Sequence, residues 1–185
     1  MPKTKSNIRS LVESLLKQAS VKSPPVPVDL LIRRQGIEIV RKNLDDDTSG
    51  FVYVDPKTDD AVIGLNVSHS KTRQRFTLAH ELGHFMMHKS SGGHLHVDDR
   101  DFFVRFRTKH SREGLDIQEI EANAFAAELL MPTRFLEQDV KQIKDGVSVS
   151  EEKSIRIMAN RYGVSLQALL FRLANQGLLE SSFLE

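Results

Sequence analysis

The pentapeptide His80-Glu81-Leu82-Gly83-His84 limits what this chain can fold into more than any other stretch. Residues four apart share one face of a helix, so two imidazoles at that spacing can aim at a single ion. Glu81 leaves the same turn and can reach a water at that ion without being a ligand. Phe76, Ala79, Gly83 and Met86 or Met87 recur at spacings of three and four, which predicts a buried helix. The plain alternative is a surface helix that carries two histidines and a solvated Glu by accident. Against it, buried imidazoles need partners. Gly83 costs about 1 kcal/mol relative to Ala inside a helix, which implies that something approaches the backbone there. Zinc takes imidazole nitrogen and keeps one position open in catalytic sites, so this pair plus a third ligand would make a hydrolase.

The third ligand is expected downstream, on a second helix. Glu119 and Glu121 compete within Gln118-Glu119-Ile120-Glu121-Ala122-Asn123-Ala124-Phe125-Ala126-Ala127-Glu128-Leu129-Leu130-Met131-Pro132. At roughly 100° per residue, Glu119 shares a face with Ala122, Asn123, Ala126 and Leu130. Glu121 lies near Ala124 and Glu128, on a more polar face. A ligand must face the helix it serves, so Glu119 is the expected one and Glu121 and Glu128 are expected to be solvated. Asn123, one turn on from Glu119, is placed to hydrogen-bond a ligating imidazole. Small residues at Ala122, Ala126 and Ala127 would let the two helices approach, and Pro132 marks the helix end.

These two segments, Arg75 to His88 and Glu119 to Pro132, resemble the ImmA/IrrE metallopeptidase family in sequence and order. The resemblance covers roughly residues 25–175. It implies an α+β, zincin-like fold: a small, mostly antiparallel sheet beside the active-site helix, plus a C-terminal helix pair. It implies that His80, His84 and Glu119 bind zinc, with manganese as a substitute, and that Glu81 is the catalytic base. It further implies a narrow substrate: a partner transcriptional repressor of the helix-turn-helix type, cleaved to relieve repression after stress or in mobile elements.

Composition agrees with a globular chain. Of 185 residues, 39% are apolar and 28% charged, enough for one main domain with a core. Cys is absent, which excludes disulfides and thiol chemistry and fits a reducing cytoplasm. The net charge of +1 gives no global pull toward nucleic acid or an anionic membrane. No apolar run approaches the roughly 18 residues of a membrane span, and the N-terminus has no signal-type apolar segment.

Along the chain, Ile8, Leu11, Val12, Leu15, Leu16 and Ala19 predict an amphipathic first helix, broken by Ser23-Pro24-Pro25-Val26-Pro27. A short helix from about Asp29 should end at Gly36, with a strand over Ile37–Val40. Asp45 to Gly50 reads as a turn or loop. Phe51–Val54 and Ala61–Leu65 read as a hairpin joined through Asp55 to Asp60. The Ala61–Leu65 strand leads directly into the His80 helix, and the fold resemblance implies an edge strand beside that helix holding extended substrate. His94-Leu95-His96 with Asp98, Asp99, Arg100 and Asp101 can be read as a second metal site, but a polar loop is the preferred reading. Phe102 to Arg107 alternates like a strand and suggests a flap or a wall of the substrate cleft.

Ser150 and Ser165 can cap two C-terminal helices, Glu151–Tyr162 and one running to about Gln176, ending at Gly177. We therefore divide the chain into a metallopeptidase domain with its N-terminal helix, 1–146, and a helix pair packed on it, 147–185. Ala159, Gly163 and Leu169 have helix-turn-helix spacing. From Val147 onward, however, Lys153, Arg156, Arg161 and Arg172 are cancelled by Glu151, Glu152, Glu180 and Glu185. Phosphate binding needs several cations on one face, and the second helix carries Arg172 alone. Direct DNA binding is not expected. Two function classes remain: a zinc endopeptidase, or a non-catalytic regulator whose metal stabilises a surface that binds a repressor or DNA. Glu81 favours the first, since metal binding alone has no use for it. The oxyanion partner stays open among Tyr53, His88, Arg105 and His110.

Overall fold

Periodicity becomes architecture in the computed structural model, which describes residues 4–45, 47–88, 94–99, 113–145 and 151–178. The described elements run α1 (Lys5–Gln18), α2 (Val28–Arg34), β1 (Ile37–Lys42), β2 (Thr48–Val54), β3 (Ala61–Asn66), α3 (Lys71–His88) and β4 (His94–Asp99). They continue with α4 (Glu113–Leu130), α5 (Thr133–Asp145), α6 (Glu151–Tyr162) and α7 (Leu166–Asn175). The architecture is α+β.

The sheet has the order β1-β3-β2-β4. β2 and β3 form the expected hairpin, paired from Val54 opposite Ala61 to Gly50 opposite Leu65. Asp55 organises its turn by accepting from the backbone N–H groups of Lys57 at 2.7 Å and Thr58 at 3.1 Å. β1 joins β3 in parallel and β4 joins β2 antiparallel. β3 is therefore an interior strand. Among the described residues the edges are β1 and β4, and the strand that leads into the His80 helix is paired on both sides. β2 starts at Thr48, inside the stretch expected to be a loop, because its pairing with β4 continues to Thr48 opposite Asp99 through an irregularity between Thr48 and Gly50. His94–Asp99, expected as a polar loop, is the edge strand β4. Backbone pairing with β2 overrides its polar composition. The segment 102–107 lies outside the described residues.

Val52 and Val54 alternate with exposed Tyr53 on β2, so one face of the sheet carries the apolar rows against which α3 packs. Ile63 and Leu65 of β3 and Leu78, Ala79 and Leu82 of α3 complete that layer. On the far side α3 meets α4, and α1 covers α4 through Ile8, Val12, Leu15 and Leu16. The layers are thus sheet, α3, α4 and α1, with the His80 helix in the middle. The sequence reading passed over α5. Its buried positions Phe135, Leu136 and Asp139 recur at helical spacing in an otherwise charged segment.

The C-terminal pair is bound to both central helices. Gly163, at φ +66°, ends α6 in a left-handed turn, and the N–H of Val164 returns to the carbonyl of Ala159. Arg75 of α3 donates to the carbonyl of Gly163 at 3.2 Å and of Val26 at 3.0 Å. Burial lowers the pKa of that guanidinium. Arg172 of α7 reaches the other way and donates to the Glu128 carboxylate, to Thr133 Oγ1 and to the carbonyl of Met131. The Tyr162 hydroxyl donates to Asp139 at 2.8 Å, and its pKa is raised, chiefly by burial.

Candidate metal centre

α3 carries the two histidines because both of its faces have something to bury. Every residue from Thr77 to His84 is buried, between β2 and β3 on one side and α4 on the other. At its start, Gln74 donates from its side-chain amide to the carbonyls of Val67 at 3.1 Å and His69 at 2.7 Å, fixing the turn that leads out of β3. The expected apolar stripe is thus part of a helix buried all round, as a sandwiched position requires.

Three side chains converge. The Nε2 atoms of His80 and His84 lie 3.0 Å apart. Glu119 brings one carboxylate oxygen to 3.4 Å from His80 Nε2 and the other to 3.2 Å from His84 Nε2. Zinc held tetrahedrally at about 2.0–2.1 Å from each donor separates donor atoms by about 3.3 Å. The three donors therefore fit a single zinc ion with little adjustment. Among the described residues, His80, His84 and Glu119 are the one His, Cys, Asp or Glu group close enough to share a metal. Burial pushes the His84 imidazolium down to about 4, against the opposing pull of the Glu119 carboxylate. Near neutral pH its ring nitrogen offers a lone pair to a cation. The two imidazoles keep 1% of their exposure while Glu119 keeps 19%, so the centre is reached from the Glu119 side.

Glu81 is completely buried on the sheet side of the same turn. A Cβ added to Gly50 of β2 would lie 3.9 Å from Glu81 Cγ, 2.5 Å from Thr77 Cγ2 and 2.7 Å from the carbonyl oxygen of Gly64. Gly50 is thus the position at which β2 can pass directly under the Glu81 turn. Nothing in the sequence singled it out.

On α4, Glu119 faces the imidazoles. Asn123 is buried one turn on and donates to the main-chain carbonyl of Glu119 at 2.7 Å, so it braces the turn that carries the carboxylate. Its amide is spent on that carbonyl and not on an imidazole, the partner expected from sequence. Glu121 and Glu128 were expected in solvent, and both are buried. Glu121 stands 3.6 Å from His88 Nε2. Glu128 accepts from the N–H of Thr133 at 3.0 Å and from its hydroxyl at 2.9 Å, and it pairs with Arg172. Helical angle alone missed this because α4 is covered by α1, α3 and α7, so its polar face is also an interior one. Of the oxyanion candidates, Tyr53 is exposed on β2 and His88 lies against Glu121. Arg105 and His110 lie outside the described residues.

Gly83 explains how the donors meet. A Cβ there would sit 3.0 Å from Phe125 Cδ1 and 3.3 Å from both Cα and O of Ala122. The approach inferred from Gly83 is that of α4, made closer by Ala122. Gly83→Leu is expected to push α4 from α3, to destabilise the fold by about 1–3 kcal/mol and to weaken zinc binding. Thermal unfolding with and without zinc would read both effects. Unchanged zinc affinity in a folded variant would mean that the two helices do not set the ligand spacing.

Comparison with known proteins gives three findings. A family profile described as the IrrE N-terminal-like domain, Peptidase_M78, matches residues 32–174. An uncharacterized immunity region protein 2 of Bacillus phage phi105 is 29% identical over 125 residues, 68% of either chain. A Mycobacterium tuberculosis transcriptional regulator of known structure superposes with a TM-score of 0.59 at 18% identity, over 91% of this chain and 47% of the other. The chain thus spans about half the length of that regulator, and the likeness bears on fold.

Proposed function

The chain belongs to the IrrE N-terminal-like peptidase family, and on that premise we propose that it is a zinc-dependent endopeptidase that cleaves one partner protein, a helix-turn-helix transcriptional repressor. The family and the described elements agree on an α+β, zincin-like fold. The observation that carries the enzymatic reading is the convergence of His80, His84 and Glu119, with Glu81 buried on the same turn of α3. The likeness to an immunity-region protein of a phage supports a repressor-related partner.

Zinc, when bound, supplies a Lewis acid that makes a water more acidic and polarises a carbonyl. The chain supplies the rest. His80 and His84 hold the ion from one helix and Glu119 from the next. Glu81 takes a proton from the attacking water and passes it to the leaving amine. α3 and α4, locked together at Gly83, keep these groups in one geometry so that little reorganisation is needed. The carboxylate side of the centre is the route by which a peptide reaches it.

The test is direct. The zinc-loaded protein is mixed with each helix-turn-helix protein found encoded beside its gene, and products are sized by mass spectrometry. A single cut that a chelator abolishes is expected. An intact repressor would remove the assigned substrate.

We expect the C-terminal helix pair not to bind DNA at physiological salt. The lone cation of α7, Arg172, points inward to Glu128 and Met131, and Arg161 of α6 is paired with Asp139 at 2.8 Å. That leaves the helix pair few cations to face phosphates. A fluorescence titration with duplex fragments from around the gene would decide. Salt-sensitive binding below about 1 µM would favour the regulator reading.

A further inference from the structure

The outer side of α1, the loop that follows it and the first turn of α5 border a groove of about 610 Å³. That volume lies within the usual range for small-molecule sites. Three cations line it, Lys17, Lys22 and Arg134. Glu13 is the carboxylate among the lining residues, and it is already paired with Arg9 at 3.3 Å. Among the described residues neither lysine has a carboxylate partner. Arg134 donates to a main-chain carbonyl, that of Val21, at 3.1 Å. The chain as a whole carries a net charge of +1, so this groove concentrates positive charge well above the average.

Exposed lysines are ordinary on protein surfaces and need no partner. Two features set this groove apart. The first is Arg134, whose guanidinium lies over the Phe135 ring at 4.7 Å and whose Nε is buried with no acceptor among the described residues. A buried donor left unpaired is costly. A phosphate oxygen would supply the acceptor, and the planar fork of a guanidinium suits it. The second is Ser20, which ends α1 at φ +57° while the N–H of Val21 returns to the carbonyl of Leu16 at 2.9 Å. Glycine is the favourable residue in that left-handed position, yet here a hydroxyl is kept. Ser20 lines the groove together with Ser10 and Ser14. The Ser14 oxygen accepts from Gln18 at 3.3 Å and so keeps its proton to donate. We propose that this groove binds a phosphate group, free or carried on a small metabolite such as a mononucleotide. Lys17, Lys22 and Arg134 hold the anion, and the serines donate to it. The site goes beyond the peptidase reading and does not depend on it, since none of these residues belongs to the metal centre.

The probes are sodium phosphate, AMP and ADP, titrated by calorimetry into the full chain at constant ionic strength set with chloride. One site per chain is expected, with a Kd below about 100 µM for at least one probe. The same probe should raise the unfolding temperature. Phosphate bound as tightly as ADP identifies the free anion as the ligand, and ADP bound far more tightly identifies the metabolite. The double variant Lys17→Gln/Lys22→Gln, altered at exposed positions, should unfold at the wild-type temperature when no probe is present. It should bind about 10-fold or more weakly. Lys57→Gln/Lys71→Gln removes the same charge from exposed positions outside the groove and should bind like wild type. Full binding by the first variant, or equal loss in both, overturns the site. So does the absence of binding by any probe up to about 10 mM. Duplex DNA held through Lys17 and Lys22, with none of the three small probes bound, would assign the groove to nucleic acid and overturn the proposal as well.

Discussion

Glu81→Gln is expected to keep its zinc and to lose about 10²–10⁴ of its cleavage rate. The two halves of that expectation have separate causes. The group that could hold a metal ion is His80, His84 and Glu119, whose donor atoms face one another without Glu81. Removing the charge of Glu81 therefore leaves the ion's cage intact. Glu81 is completely buried, and a glutamine of nearly the same shape fits where Gly50 leaves room under the turn. What the amide cannot do is accept a proton. Metal content by mass spectrometry, measured beside cleavage of the partner, separates the two effects. Full cleavage by the variant would assign the base elsewhere, and loss of metal would make Glu81 a ligand.

Glu119→Ala should weaken zinc binding by more than the 10–100-fold typical of a residue one step removed from a metal. Glu121→Ala should leave it nearly intact. The two carboxylates are about 200° apart on α4, so both cannot face the imidazoles. Glu119 lies within 3.4 Å of both histidine nitrogens, whereas Glu121 faces His88. Because Glu121 is buried, its loss should lower stability while sparing the metal, and stability is measured beside affinity for that reason. Asn123→Ala should fall between, at about 10–100-fold, since it braces the Glu119 turn through a carbonyl. Chelator competition on the three variants gives the order. The reverse order for Glu119 and Glu121 would turn α4 the other way.

The convergence of His80, His84 and Glu119 was legible in the sequence because each of its two motifs is local. His80 and His84 are four residues apart, and Glu119 lies on the small-residue face that can approach α3. The motifs that resemble the ImmA/IrrE family agree with the profile match over 32–174. The hairpin, the first helix and the Ser165 cap were local as well, and Ser165 accepts from the N–H of Ala168 at 3.1 Å. What the sequence hid depends on which surface meets which. Glu121 and Glu128 read as solvated because period alone cannot say that α4 is covered on its polar side too. Arg172 read only as the lone cation of its helix, yet it satisfies a buried carboxylate 44 residues away and a helix-end carbonyl 41 residues away. β3 read as a strand beside the active-site helix, but sheet order decides whether a strand is an edge. That order came from β1, which pairs with it in parallel across a long connection. Gly50 gave no signal at all, since its requirement arises from Thr77 and Gly64 in other elements.

The central claim is a zinc ion held by two imidazoles and one carboxylate with a position left for water. X-ray absorption at the zinc edge, on full-length protein loaded with one equivalent, tests it most directly. The account predicts four nitrogen or oxygen neighbours at about 2.0–2.1 Å. Two of them should be imidazoles, and Glu119→Ala should change the shell. A shell of three imidazoles, with His88 closing the fourth position, would contradict it. So would a spectrum of fully hydrated, unbound zinc.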